Sequence, residues 1–231
     1  MIYMSVRAPE WNQATQAIQQ AASILVVTHQ RPDGDAIGSA LGITNALRAM
    51  GKTVTVANDD AVPDPFHFLE GVDTFLRKLT FGEWDVMIST DSSDEARSGE
   101  VGAFGFSRSK TIINLDHHTT NTGFGDIHLV QAEASSAAEV VYNWLSHAEV
   151  ELSAAVAKPL LTGMVTDTIG FRIPSVTPQT LQAVQNLMAA GASLSEITSR
   201  TVDYMTYEEF ALWQRVLPKA QRDGAIMDVA I

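Results

Sequence analysis

Cysteine is absent from the 231-residue chain, so neither a disulfide framework nor a thiolate metal site is available. Also missing is any apolar run approaching the length that spans a bilayer, and no membrane partner is expected. The opening residues, MIYMSVRAPEW, have neither the charged start nor the apolar core of a secretory signal, and a cytoplasmic location is the expectation. Cations are scarce: 15 Lys and Arg face 27 Asp and Glu, a net charge of −12. Coating nucleic acid regardless of sequence needs many phosphate contacts from Lys and Arg, so long duplex nucleic acid is not an expected partner. A short nucleotide held through metal ions stays compatible with that charge. The sequence contains no internal repeat and no low-complexity segment.

What is present is a core. Hydrophobic residues make up 45% of the chain, which excludes intrinsic disorder and allows one large domain, or one domain plus a tail. Residues from Glu10 to Ala22 have helical apolar spacing. Ile24–Thr28 is an unbroken apolar run, as in a parallel strand covered on both faces. A helix from Ala36 to Gly51 and a strand at Thr53–Ala57 follow, then a polar loop over Asn58 to Phe68. Further strands are predicted at Asp85–Thr90, Thr111–Leu115 and Ile127–Val130, with a short helix starting within Asp94–Val101. Helices are expected at Ser135–Ser146, Ser153–Thr166 (despite Pro159), Pro178–Ala190, Leu194–Arg200 and Tyr207–Leu217. The pattern implies an α/β fold: a doubly wound, mainly five-stranded parallel sheet flanked by helices, with a helical C-terminal half.

Ligand-type residues gather at strand ends. His29, Asp33 and Asp35 follow the first strand, Asp91 the third, and Asp116, His117 and His118 the fourth; Asp167 ends the apolar stretch Leu160–Val165. In open α/β sheets ligands bind just beyond those ends. Singly, each has an ordinary reading: Asp35 as the cap of the helix starting at Ala36, Asp91 as a turn residue, His117 or His118 as a half-buried histidine. Together, several carboxylates at one edge repel unless cations neutralise them. His and Asp without Cys suit Mn²⁺ or a similar divalent ion better than structural zinc.

The stretches HQRPDGDAIGSA, STDSSD, NLDHHTTN and GMVTDTIGFR, between about Ser23 and Arg172, resemble in order the four motifs of the DHH phosphoesterases. DGDAIGS resembles the nanoRNase and 3′-phosphoadenosine-5′-phosphate (pAp) phosphatase branch more than the RecJ exonucleases or manganese pyrophosphatases. The resemblance implies two Mn²⁺ ions, with Mg²⁺ or Co²⁺ as substitutes. His29 and Asp33 would bind one, Asp35, His117 and Asp167 the other, and Asp91 both. Asp116 and His118 would sit behind or beside the metals. The four carboxylates Asp33, Asp35, Asp91 and Asp167 would balance two divalent cations, which in such sites lie roughly 3.5–4 Å apart. The implied reaction is hydrolysis by in-line attack of a hydroxide bridging the ions, on very short single-stranded RNA or pAp. His118 is a candidate for contact with the leaving group or scissile phosphate, as general acid. Arg172 resembles a position near the substrate phosphate and reads equally as a surface arginine. Gly38 and Ser39 read as phosphate neighbours at a helix start or, for Gly38, as a close helix–sheet contact. Ser135 and Ser136 read as helix caps, and Trp84, Trp144 and Trp213 as core or interface residues. Many relatives have glycine where Ile169 follows Asp-Thr, with Gly170 one residue later here.

Relatives usually continue into a smaller domain with a glycine-rich, histidine-containing motif, which this sequence does not contain. The expected organisation is a catalytic domain over 1–200, a helical linker over 201–222, and 223–231 as the opening strand of a truncated substrate-binding domain. The alternatives are a cyclic- or linear-dinucleotide phosphodiesterase, an inorganic pyrophosphatase, and a non-catalytic metal- or nucleotide-binding module. A homodimer is left open.

Overall fold

The structure, a computed structural model, describes residues 8–223 and 226–229. A six-stranded, wholly parallel sheet forms the centre. Its strands are β1 (Ser23–Thr28), β2 (Thr53–Ala57), β3 (Phe75–Leu76), β4 (Trp84–Thr90), β5 (Ser109–Asp116) and β6 (Ile127–Val130), in the order β3-β2-β1-β4-β5-β6. The sixth strand, absent from the sequence reading, is β3: two residues at the sheet edge are too short for any periodicity to register. Chain order reverses between β1 and β4, the place where doubly wound sheets open a crevice at their carboxyl ends.

Alternating strand residues feed two cores. Ile24, Val26, Val86, Ile88, Ile113 and Leu115 face a thick helical layer. That layer contains α1 (Ala8–Gln20), α2 (Gly34–Ala49), α4 (Ala137–His147) and α5 (Ala154–Asp167), with α6 (Pro178–Ala189) and α7 (Leu194–Arg200) packed outside. Leu25, Val27 and Met87 face the other side, covered by α3 (Gly99–Phe106). Both faces of β1 are therefore dry, which is why its sequence is uninterrupted Ile-Leu-Val-Val. Trp144 and Trp84 are core residues, whereas Trp213, on α8 (Tyr207–Val216), is exposed. Among the described residues, no helix is long and apolar enough to cross a membrane.

α2 is buried almost all round because α5 lies directly on it. A Cβ on Gly38 would stand 2.5 Å from the Pro159 carbonyl oxygen. Gly38 thus serves a helix–helix approach, not the helix–sheet contact or phosphate cradle read from sequence. Ser39 is also buried, and its hydroxyl donates to the Ala36 carbonyl. α2 begins at Gly34, and Asp33, not Asp35, is its cap: Oδ1 of Asp33 accepts the amides of Asp35 and Ala36, both at 3.0 Å. At the far end α8 stops at Val216, and β7 (Ala220–Asp223) pairs antiparallel with β8 (Ile226–Val229). A strand therefore already begins inside the stretch read as helical linker. Residues 224, 225, 230 and 231 of the expected opening strand lie outside the described residues.

Candidate metal centre

Sheet register sets the site. Thr28 pairs with Thr90, and Thr90 with Leu115. The next residue on each strand is His29, Asp91 or Asp116, so one row at the carboxyl edge carries all three. Asn58, in the loop after β2, fixes that edge by donating to the carbonyls of Thr28 (3.2 Å) and His29 (2.7 Å).

The ring of His29 turns its Nδ1 to the Gln30 carbonyl at 2.8 Å. A proton on Nδ1 leaves Nε2 facing carboxylates, 3.4 Å from Asp91 Oδ2 and 3.8 Å from Asp33 Oδ1. His117 Nε2 lies 3.6 Å from Asp167 Oδ2 and 3.8 Å from both Asp35 Oδ2 and Asp91 Oδ1. These residues form compact groups of potential ligands: His29, Asp33 and Asp91; Asp35, His117 and Asp167; and Asp91, Asp116, His117 and His118. Asp91 belongs to two of them and reaches the remaining one through His117. It is only 2% exposed, has a left-handed backbone (φ 55°), and its Oδ1 has no hydrogen-bond partner among the described residues. An orphaned carboxylate oxygen of this kind is costly in a dry site unless a cation meets it. Carboxylate oxygens with imidazole nitrogens fit a hard or borderline divalent cation.

Asp35 reaches the cluster by two close approaches. Its carboxylate accepts the amides of Ala137 (2.6 Å to Oδ2) and Ala138 (2.9 Å to Oδ1), in the first turn of α4. Those amides have no partner within their own helix, and the helix dipole favours an anion there. Ser136 caps α4 by accepting the Glu139 amide, while Ser135 donates to the Glu139 carboxylate. Behind Asp35, a Cβ on Gly163 of α5 would stand 2.7 Å from Asp35 Oδ1. Sequence reasoning missed Gly163 and the α4 amides. The glycine in GMVTD was the only local signal, and nothing near Asp35 in sequence announces a helix about a hundred residues away.

Charge and burial compete throughout. Burial raises the Asp35 carboxyl well above the usual range, and the charges of Asp91 and Asp167 push the same way. Asp167 is raised by burial, with His117 opposing and Asp91 and Asp33 adding to it. Burial alone would lower His29, but the facing carboxylates of Asp33 and Asp91 outweigh it and hold the ring at about 10. Asp33 is held low: burial opposes, while His29 and the α2 amides prevail.

Asp116 lies behind the row, completely buried. Its Oδ1 accepts His118 Nδ1 at 2.8 Å, and its Oδ2 accepts Asn121 Nδ2 at 2.6 Å. Asn121 also exchanges hydrogen bonds with Asn114 and donates to the Ser92 carbonyl, so the NLDHHTTN stretch closes on itself. The Asp116 hydrogen bond raises His118 against partial burial, and His118 in turn helps hold the buried Asp116 low. Arg172 is not drawn into the cluster. It is exposed, and its Nε donates to the Ile169 carbonyl at 2.6 Å.

Residues 23–164 match the family described as "DHH family, N-terminal domain". The chain is 37% identical over 180 residues to the bifunctional oligoribonuclease and PAP phosphatase NrnA of Thermus thermophilus, covering 77% of this chain and 53% of that one. It is 30% identical over 181 residues to the protein of the same name from Bacillus subtilis, covering 76% and 55%. The chain thus spans about half the length of the curated relatives it matches. Among solved structures, an exopolyphosphatase-related protein from Bacteroides fragilis superposes with a TM-score of 0.87 at 26% identity, covering 96% of this chain and 68% of that one. A putative family II inorganic pyrophosphatase from Methanococcus jannaschii shares the fold at a TM-score of 0.57 and 20% identity, covering 77% and 61%. With the motif residues meeting at one sheet edge and the family match running through the sheet and into α5, the chain belongs to the DHH family.

Proposed function

We propose that this chain carries the catalytic centre of a metal-dependent phosphoesterase acting on very short single-stranded oligoribonucleotides and on pAp. The observation that carries the reading is the position of Asp91, a buried carboxylate with one unpartnered oxygen between two His/Asp groups. His29, Asp33 and Asp91 would hold one divalent cation, and Asp35, His117 and Asp167, with Asp91, a second. Mn²⁺ is the expected ion and Mg²⁺ or Co²⁺ the substitutes, since every donor is an oxygen or an imidazole nitrogen. When bound, such a pair stabilises charge on the attacking and leaving oxygens of an in-line displacement at phosphorus.

The chain's own groups have separable tasks. Asp35 is fixed by the α4 amides and offers its oxygens in one orientation. Asp33 and Asp167, the more accessible carboxylates, mark the open side through which a phosphate enters. Asp116 holds His118 by Nδ1, which leaves Nε2 to carry a proton toward a leaving oxygen. Arg172, on the loop after Asp167, supplies positive charge beside the entry. The relatives' printed name, bifunctional oligoribonuclease and PAP phosphatase, supports this substrate class. A cytoplasmic setting, a domain boundary near residue 200 and an optional homodimer belong to the same proposal.

The test is a side-by-side assay in Mn²⁺ of a ribodinucleotide, pAp and inorganic pyrophosphate, with Asp167→Ala as the inactive control. Hydrolysis of the dinucleotide and pAp, lost in Asp167→Ala, is expected. Turnover of pyrophosphate alone, or unchanged turnover in the variant, contradicts the reading.

A further inference from the structure

Directly after Asp167 the backbone is left-handed at three consecutive residues: Ile169 (φ 51°), Gly170 (φ 71°) and Phe171 (φ 63°). Glycine adopts this region freely, but a β-branched residue there is an outlier. Such a conformation persists only where its surroundings over-determine it. Here Ile169 donates its amide to the Thr166 carbonyl (3.1 Å), Gly170 to Val165 (2.8 Å) and Arg172 to Thr168 (2.9 Å). The Phe171 amide donates to Thr168 Oγ1 at 2.8 Å, and that hydroxyl is itself buried and donates to Met164.

Phe171 has a packing reason to be there, because it lies against the main core. Ile169 is not among the residues packed against a hydrophobic core, and it is 54% exposed. A glycine would relieve the backbone and an asparagine would tolerate it, yet an apolar branched side chain is presented half-exposed two residues beyond Asp167. Its carbonyl also accepts Arg172 Nε at 2.6 Å, so one short turn presents an aliphatic surface and a guanidinium together. An apolar surface beside a guanidinium suits a nucleobase linked to a phosphate.

We propose that Ile169 is a specificity-determining residue whose exposed side chain packs on the nucleobase of the substrate, with the strained turn holding it beside the phosphate. The inference rests on the phosphoesterase reading above. It predicts what a purely structural residue would not show: removing the side chain makes the protein more stable and base recognition worse.

The test uses Ile169→Gly and Ile169→Asn in the full chain. Thermal midpoints without metal should rise or hold. In Mn²⁺, calorimetric affinity for AMP should fall by about fivefold or more, while affinity for ribose 5-phosphate, which lacks the base, stays unchanged. Mn²⁺ affinity should also be unchanged. Equal effects on AMP and ribose 5-phosphate overturn the inference, as do no effect on either and a loss of Mn²⁺ affinity. Wild-type protein binding AMP no more tightly than ribose 5-phosphate overturns it as well. Binding is scored without turnover, so absence of hydrolysis by the wild type would sink the phosphoesterase reading alone.

Discussion

A side chain at Gly163 would collide with Asp35: the missing Cβ would lie 2.7 Å from Oδ1 and 3.3 Å from Cα of that residue. The two belong to α5 and α2, and their contact brings Asp35 to the same centre as Asp167. The same Cβ would also stand 2.7 Å from the Ala138 Cβ, so Gly163→Ala must shift α2, α4 or the Asp35 carboxylate. In an isolated helix the change would be favourable by about 1 kcal/mol. Here we expect a folded protein with Mn²⁺ affinity reduced at least tenfold by calorimetry, and Asp35 displaced in a crystal structure. Unchanged affinity would show that the close approach does not position Asp35.

Asp91→Asn separates stability from function. In the metal-free protein the Asp91 charge opposes ionisation of both Asp35 and Asp167, and its Oδ1 has no hydrogen-bond partner among the described residues. Asparagine removes the charge and tolerates a positive φ. Relief of Asp35 and Asp167 is opposed by loss of the Asp91 charge that holds His29 protonated, so the metal-free thermal midpoint should move little, while the rise caused by Mn²⁺ and the metal-dependent turnover both disappear. A variant that keeps full Mn²⁺-dependent turnover contradicts the proposed role of Asp91.

Metal binding and pH should be linked in a defined direction. His29 is raised to about 10 in the folded chain. Its stabilisation is therefore complete below the unfolded value of roughly 6.5 and lost as pH rises through the folded one. Asp35 and Asp167, also raised, have the same sign, losing stability as pH rises above the ordinary carboxylate range. Asp33 and Asp116 are lowered, so their contribution is lost only in acid, below the ordinary carboxylate range. The metal-free protein should thus lose stability between roughly pH 6.5 and 10. The stabilisation by Mn²⁺ should grow over that interval because the ion displaces these protons. Calorimetric binding enthalpies that vary with buffer ionisation enthalpy would report the released protons. A metal-induced stabilisation that is flat with pH would oppose the account.

The Asp116–His118 pair makes a separate kinetic prediction. Asp116 raises His118 through their 2.8 Å hydrogen bond. Asp116→Asn should lower kcat about tenfold or more and move the alkaline limb of its pH profile toward lower pH, because the ring loses its proton earlier. Little change in KM is expected. A lower kcat with an unshifted profile would assign Asp116 to scaffolding alone.

Much of this centre is legible in the sequence because parallel strands buried on both faces are unmistakable, and their ends locate the edge where the His and Asp residues gather. Ile24–Thr28 and Asp85–Thr90 place His29 and Asp91 within a residue of the observed row. What the sequence hides depends on contacts distant along the chain. That Asp33 caps α2 while Asp35 points into the α4 amides is a matter of backbone direction, and both fit the same DGD string. β3 has only two residues, and the Gly38–Pro159 and Gly163–Asp35 approaches join helices more than a hundred residues apart. The left-handed Ile169 contradicts its own local preference, so no propensity could have anticipated it.

The central claim is that this sheet edge holds two divalent cations with Asp91 between them. Anomalous diffraction near the manganese absorption edge, from crystals grown in Mn²⁺, tests it most directly. The account predicts two peaks, one between His29, Asp33 and Asp91, the other between Asp35, His117 and Asp167. A single peak, or none, would contradict it.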